Sequence, residues 1–102
     1  ESGNLDIKRK ADDSFLSFKQ YPVPTNGKGY VYFKLYNASE VSVDLKDQFG
    51  RLVHTVLEEQ TINKGVHIFE YDAQQLNIAP GIYYTFLKIN GQELMRRTII
   101  TE

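Results

Sequence analysis

A chain of 102 residues bounds the answer to one domain with a modest hydrophobic core. Hydrophobic residues make up 41% and charged residues 25%, with 7 Tyr and 6 Phe, which excludes an intrinsically disordered or collagen-like polymer. The formal net charge of −1 supplies no field for nucleic acid, and the absence of cysteine removes disulfide scaffolds, thiol nucleophiles and cysteine-based metal sites.

Residues 1–13 stand apart. Lys8-Arg9-Lys10 and Asp12-Asp13 dominate them, with only Leu5, Ile7 and Ala11 apolar, so the segment reads as a polar tether or a loosely docked arm. Glu1 to Lys10 has no apolar core of the kind a signal peptide needs. Apolar runs elsewhere are a few residues long, too short for a transmembrane helix, and no membrane insertion is expected.

From residue 14 the pattern has period two. A first strand is expected over 14–20, closed by Pro22-Val23-Pro24 and the Gly27-Lys28-Gly29 turn. In 30–37, Val31, Phe33 and Leu35 point one way, and Tyr30, Tyr32 and Tyr36 form a stripe on the other. Asn37 to Glu40 reads as a tight hairpin into 40–47, where Val41, Val43 and Leu45 alternate with Ser42, Asp44 and Lys46. Asp47-Gln48-Phe49-Gly50 is a turn, with Gly at the position that favours positive φ and Asp able to accept from the turn's own N–H groups. Further strands are expected at 51–58, 66–72, 82–89 and 93–101. Their punctuation is Asn63-Lys64-Gly65, Asn77 to Gly81, and the Asn90-Gly91 hairpin signal. In 82–89, Tyr83, Thr85, Leu87 and Ile89 form the inward set, with Tyr84 and Phe86 outward.

Residues 14–102 therefore read as all-β, a single immunoglobulin-like β-sandwich of about seven antiparallel strands. The Cys, Trp and tyrosine-corner hallmarks of antibody domains give no guidance in a chain without Cys or Trp.

Catalytic chemistry is thin. His54 and His67 flank a turn and, with Asp44 or Asp47, could bind a metal, but no ligand spacing supports this, and partly exposed strand histidines explain them. A triad from Ser39 or Ser42, His54 and Asp44 has no strained nucleophile turn or oxyanion hole behind it. Glu58-Glu59 and Asp12-Asp13 are solvated neighbours, and Gly27-Lys28-Gly29 lacks the length of a phosphate loop. Neither an enzyme nor a cofactor or metal is expected. Asn37-Ala38-Ser39 matches a glycosylation acceptor, a pattern short enough to arise by chance. Two binding elements remain: the aromatic face of Tyr30, Tyr32 and Tyr36, and the terminal strand Leu94 to Thr101, with Arg96 and Arg97 on opposite faces.

Tyr21-Pro22-Val23-Pro24, Val41 to Val53 with Asp47-Gln48-Phe49-Gly50-Arg51 at its turn, Lys64-Gly65-Val66-His67, Leu76 to Tyr83 with Pro80-Gly81, and a basic-then-apolar last strand follow one another in a characteristic order. In that order they resemble the C-terminal sorting domain of the type IX secretion system of the Bacteroidota, from about Tyr21 to Thr101. Pro22 and Pro24 fit the family's Tyr-Pro-Asn-Pro entry, with Val23 in place of Asn. Asp47, Gly50 and Arg51 fit its Asp-x-x-Gly-Arg turn, Gly65 its glycine after the fourth strand, and Gly81 with Tyr83 its Gly-Val-Tyr strand. Arg96-Arg97 stands where Lys is common.

The resemblance implies a non-catalytic address label on an exported cargo, in the periplasm in transit and then at the cell surface or secreted. Its partners would be protein: the outer-membrane translocon, a shuttle barrel and a sortase-like protease cutting within Glu1 to Ser14. Leu94, Arg96, Arg97, Ile99 and Ile100 are the candidate recognition residues, and Pro22, Pro24, Asp47, Gly50, Arg51, Gly65 and Gly81 the structural turns. The alternative is a small secreted immunoglobulin-like binding or adhesion module using its exposed tyrosines.

Overall fold

A computed structural model describes residues 15–102; the expected tether and its cleavage site fall outside the described residues. Seven strands run in chain order: β1 (Phe15–Tyr21), β2 (Lys28–Leu35), β3 (Ser39–Asp47), β4 (Leu52–Ile62), β5 (Gly65–Asp72), β6 (Gly81–Ile89) and β7 (Gln92–Ile100). All pair antiparallel, in a three-stranded sheet of order β1-β2-β5 and a four-stranded sheet of order β4-β3-β6-β7. Along the sides β1 lies against β7, and β4 against β5. The chain is an all-β immunoglobulin-like sandwich.

The inward residues are those the alternation selects. Val31, Phe33 and Leu35 of β2 face Val41, Val43 and Leu45 of β3 and Tyr83, Leu87 and Ile89 of β6, all buried. The link after β2 differs from expectation. Asn37 to Glu40 does not close a hairpin, because β2 pairs with β5 while β3 pairs with β4 and β6. The segment instead carries the chain between sheets, with buried Ser39 Oγ donating to Asn37 O at 2.9 Å. Turn-forming residues reveal that a chain bends and are silent about which sheet it enters.

A polar thread crosses the core. Gln20 of β1 donates through Nε2 to Tyr71 Oη of β5 at 3.3 Å, and its Oε1 accepts from Thr85 Oγ1 of β6 in the opposite sheet. Burial pushes the Tyr71 phenol up, and hydrogen bonding to Gln20 opposes that shift. Gln20, Tyr71 and Thr85 are all buried, so their hydrogen bonds fix how the two sheets face each other. Tyr83, near the start of β6, donates from Oη to Ala79 O four residues upstream. That is a tyrosine corner, present without the cysteine that accompanies it in antibody domains.

Candidate recognition surface

β7 is positioned from both ends. Asn90 (φ 49°) and Gly91 (φ 87°) form a two-residue turn with positive φ at both positions, which suits the twist of a hairpin. Asn90 is also clasped to β3: its N–H donates to Glu40 O at 2.8 Å, and its Oδ1 accepts from Glu40 N at 2.9 Å. At the far end, Thr25 bridges β7 in parallel. Thr25 N donates to Ile99 O at 2.9 Å, and Thr101 N donates to Thr25 O at 2.8 Å. Thr25 is itself fixed, with Oγ1 donating to Lys28 O and accepting from Gly27 N. Just upstream, the Tyr21-Pro22 and Val23-Pro24 peptide bonds are both cis.

The Thr25 bridge reveals the polarity of the strand. Ile99 and Thr101 direct backbone groups away from β6, so by the period of two Glu93, Met95 and Arg97 do the same. Among the described residues no strand pairs along that stretch. Arg96 points its side chain inward and spans the seam between the sheets. Its Nε donates to Phe18 O of β1 at 3.2 Å, its Nη1 to Met95 O at 2.9 Å, and its guanidinium lies 4.8 Å from the Phe18 ring centre.

The five candidate residues of β7 divide by face. Leu94 is half-buried on the inner side, and Ile100 is buried in the core. Arg96 is exposed at the seam. Arg97, opposite Tyr84, and half-buried Ile99, opposite Ile82, lie on the outer face. Met95, half-exposed opposite Phe86, belongs to the same outer row and was not singled out by sequence, although the alternation that selected Arg97 also selects Met95 and Glu93. Lys46 covers Phe86, with Nζ 4.6 Å from the ring centre.

The aromatic face lies on the other sheet. Tyr30 and Tyr32 sit on its outer side, half-buried, where Tyr21 stacks on Tyr30 at 5.5 Å and Lys19 covers Tyr32 at 5.6 Å. Tyr36 is exposed but lies past the last residue of β2, so the sheet sets Tyr21 beside the pair instead. Val66 and Ile68 of β5 extend this face with exposed aliphatic surface.

The turns are internally satisfied. Asp47 Oδ1 accepts from Phe49 N and Arg51 N, both at 2.9 Å, and Oδ2 accepts from Arg51 Nε at 2.8 Å. Gly50 adopts φ 82° and donates to Asp47 O. Gly65 (φ 118°) starts β5, and Gly81 lies against the Tyr83 ring at the start of β6.

The Arg51 backbone N–H, ahead of the Arg51 side chain and the Phe49 N–H, holds the Asp47 carboxyl below the usual carboxylate value of 3.8. A carboxyl with a depressed folded pKa stabilises fully above its unfolded value and loses that contribution as pH falls through the folded one. Asp47→Asn should therefore melt lower than wild type at neutral pH and show a flatter decline below about pH 4. Thermal melts of both proteins from pH 7 to pH 2 check this.

The histidines do not meet as a site. His54 lies on β4 and His67 on β5, in different sheets, and His67 Nε2 is bonded to Asn63 O at 2.7 Å. Among the described residues no group of three or more His, Asp or Glu side chains could hold a metal ion. No helix among the described residues is long and apolar enough to cross a membrane.

Two comparisons bear on this geometry. The family described as the secretion system C-terminal sorting domain matches residues 19–101, from β1 to just past the end of β7. No curated protein matches the chain.

Proposed function

The chain belongs to the family of type IX secretion C-terminal sorting domains, and from that premise we propose that the secretion machinery reads its folded sandwich at β7. Membership makes the domain a sorting signal of an exported protein that engages the secretion machinery on its way to the cell surface or medium. The family is non-catalytic. The finer steps belong to the proposal: passage through the periplasm, capture by an outer-membrane translocon and a shuttle barrel, and removal by a sortase-like protease that cuts before β1.

The observation that carries this reading is the outward backbone of Glu93, Met95 and Arg97 beside the exposed Arg96 and Arg97 side chains. An extended, rigidly seated edge offers backbone hydrogen bonds for affinity and side chains for selection, with no catalytic group required. Arg97 and Ile99 present the outer row and Arg96 the seam. Leu94 and Ile100 seat the strand in the core.

The test is export in a type IX-competent host of a reporter carrying a signal peptide and residues 1–102. Deleting β7 is a poor probe, because Thr98 and Ile100 are core residues and the shortened domain would unfold. Arg97→Glu changes only an exposed side chain. It should strand the reporter in the periplasm, with export reduced about tenfold or more while the purified domain melts within a few degrees of wild type. Undiminished export of a folded Arg97→Glu reporter would move recognition away from β7, with the tyrosine face as the next surface to vary.

A further inference from the structure

The open stretch of β7 has a property that the sorting role does not require: it is complementary to itself. The Asn90-Gly91 turn bounds it on one side and the Thr25 bridge on the other. Between them the edge-directed residues are Glu93, Met95 and Arg97, an acid, an apolar side chain and a base, with Met95 at the centre.

Laid antiparallel against a second copy about a twofold axis at Met95, this stretch sets Met95 on Met95 of the second copy. Glu93 then meets Arg97 of the second copy, and Arg97 meets its Glu93. Parity is satisfied, since all three direct their N–H and C=O groups away from β6 and their side chains to the outer face. The thread of opposite charges at directly facing positions favours this register over a slip by two residues, which would set Glu93 against Met95.

The inner side agrees. In the same register Arg96 faces Leu94 of the second copy, so its aliphatic stem covers a half-buried side chain that the sandwich leaves partly open. The Thr25 bridge lies outside the paired window and stays intact. Met95 O exchanges the Arg96 guanidinium for a backbone N–H of the second copy.

We propose that β7 is the interface of a reversible, twofold-symmetric homodimer, in which the β4-β3-β6-β7 sheet continues through paired β7 strands into an eight-stranded sheet. The window supplies about six intermolecular backbone hydrogen bonds and two ion pairs, so the association is weak, with a Kd of roughly 0.1–1 mM. This pairing stands independently of the secretion reading. It covers the edge that recognition would use, so dimer and machinery compete for it.

Sedimentation equilibrium of residues 1–102 tests the proposal. Over about 20 µM to 2 mM the weight-average mass should rise from 11.8 kDa toward twice that value. Glu93→Arg sets like charges opposite each other and should weaken association about tenfold or more, and Glu93→Arg with Arg97→Glu should restore it to within about threefold. Met95→Pro removes an edge-directed N–H while sparing the ladder to β6, and should abolish association with strand content retained by circular dichroism. A constant monomer mass at the highest concentration overturns the proposal, and so does a dimer that is indifferent to these substitutions. Neither result bears on the export of the Arg97→Glu reporter, so the two readings fail separately.

Discussion

Alanine at Gly29 is expected to lower the stability of the domain by about 3 kcal/mol, and its melting temperature by roughly 12–20 °C. Gly29 lies on β2, paired with Tyr71 of β5, and the Tyr71 ring occupies the space into which a side chain at Gly29 would project. A Cβ at this position would sit 2.5 Å from Tyr71 Cζ, 2.6 Å from its Oη and 2.8 Å from Cε1. The backbone conformation is not the obstacle, as Gly29 is not among the positive-φ glycines. The obstacle is that the ring has nowhere to go: Tyr71 is buried and its hydroxyl is tied to Gln20, which is tied in turn to Thr85 across the core. Displacing Tyr71 therefore strains packing and disturbs the buried polar thread together. Thermal or urea unfolding measures the loss. In a Tyr71→Leu background the penalty for Gly29→Ala should shrink markedly, because the clashing atoms are gone. Equal penalties in both backgrounds would point to a cause other than the ring.

Phe33→Ala should have a larger effect, a loss of about 4 kcal/mol. Phe33 is fully buried at the middle of β2, stacked on Phe69 at 5.8 Å and tilted against His67 at 5.6 Å. It sits between Phe18 of β1 and His67 of β5 in the sheet register, so removing its ring opens a void at the centre of the three-stranded sheet. A domain of this size commonly has only about 5–15 kcal/mol in total, which places the variant near the limit of folding. Phe33→Leu retains most of the apolar volume and should lose about half as much. Urea unfolding separates the two, and similar midpoints for Phe33→Ala and wild type would contradict the packing described for this sheet.

Much of this architecture is legible residue by residue. Val31, Phe33 and Leu35, then Val41, Val43 and Leu45, then Tyr83, Thr85, Leu87 and Ile89 announce their inner faces because a strand alternates and a core excludes charge. Asp47 to Gly50 and Asn90-Gly91 announce their turns because few residues adopt the required backbone. Other features need tertiary information. The path of Asn37 to Glu40 between sheets depends on which partners β2 and β3 find, and local chemistry cannot encode that choice. The irregular register between β3 and β4 lets β4 run to Ile62, beyond the 51–58 expected, because bulges break the alternation on which the estimate relies. Gln20 reads as a surface residue until Tyr71 and Thr85 are placed beside it. The tyrosine corner is a similar case: the antibody hallmarks give no guidance in a chain without Cys or Trp, and only the bond from Tyr83 Oη to Ala79 O reveals it. For the recognition surface, the sequence marked β7 and both arginines. Which residues face outward and which backbone groups are open follow from Thr25, some seventy residues away in the chain, and no local pattern could show that.

The Thr25 bridge has a consequence in time as well as in space. It ties a residue just after the first strand to the last one, and the central pairs β2–β5 and β3–β6 are also far apart in sequence. Such long-range topology folds slowly, because loops must close before their contacts repay the lost chain entropy. A copy of this domain interrupted before Gln92 would leave β6 unpaired along one side and the core open where Thr98 and Ile100 belong. It would be an aggregation-prone intermediate, readily taken by proteases. On the reading proposed above, in which the machinery recognises the folded sandwich, a chain that stops before its final strand would carry no legible signal, and the order of synthesis would screen what is exported.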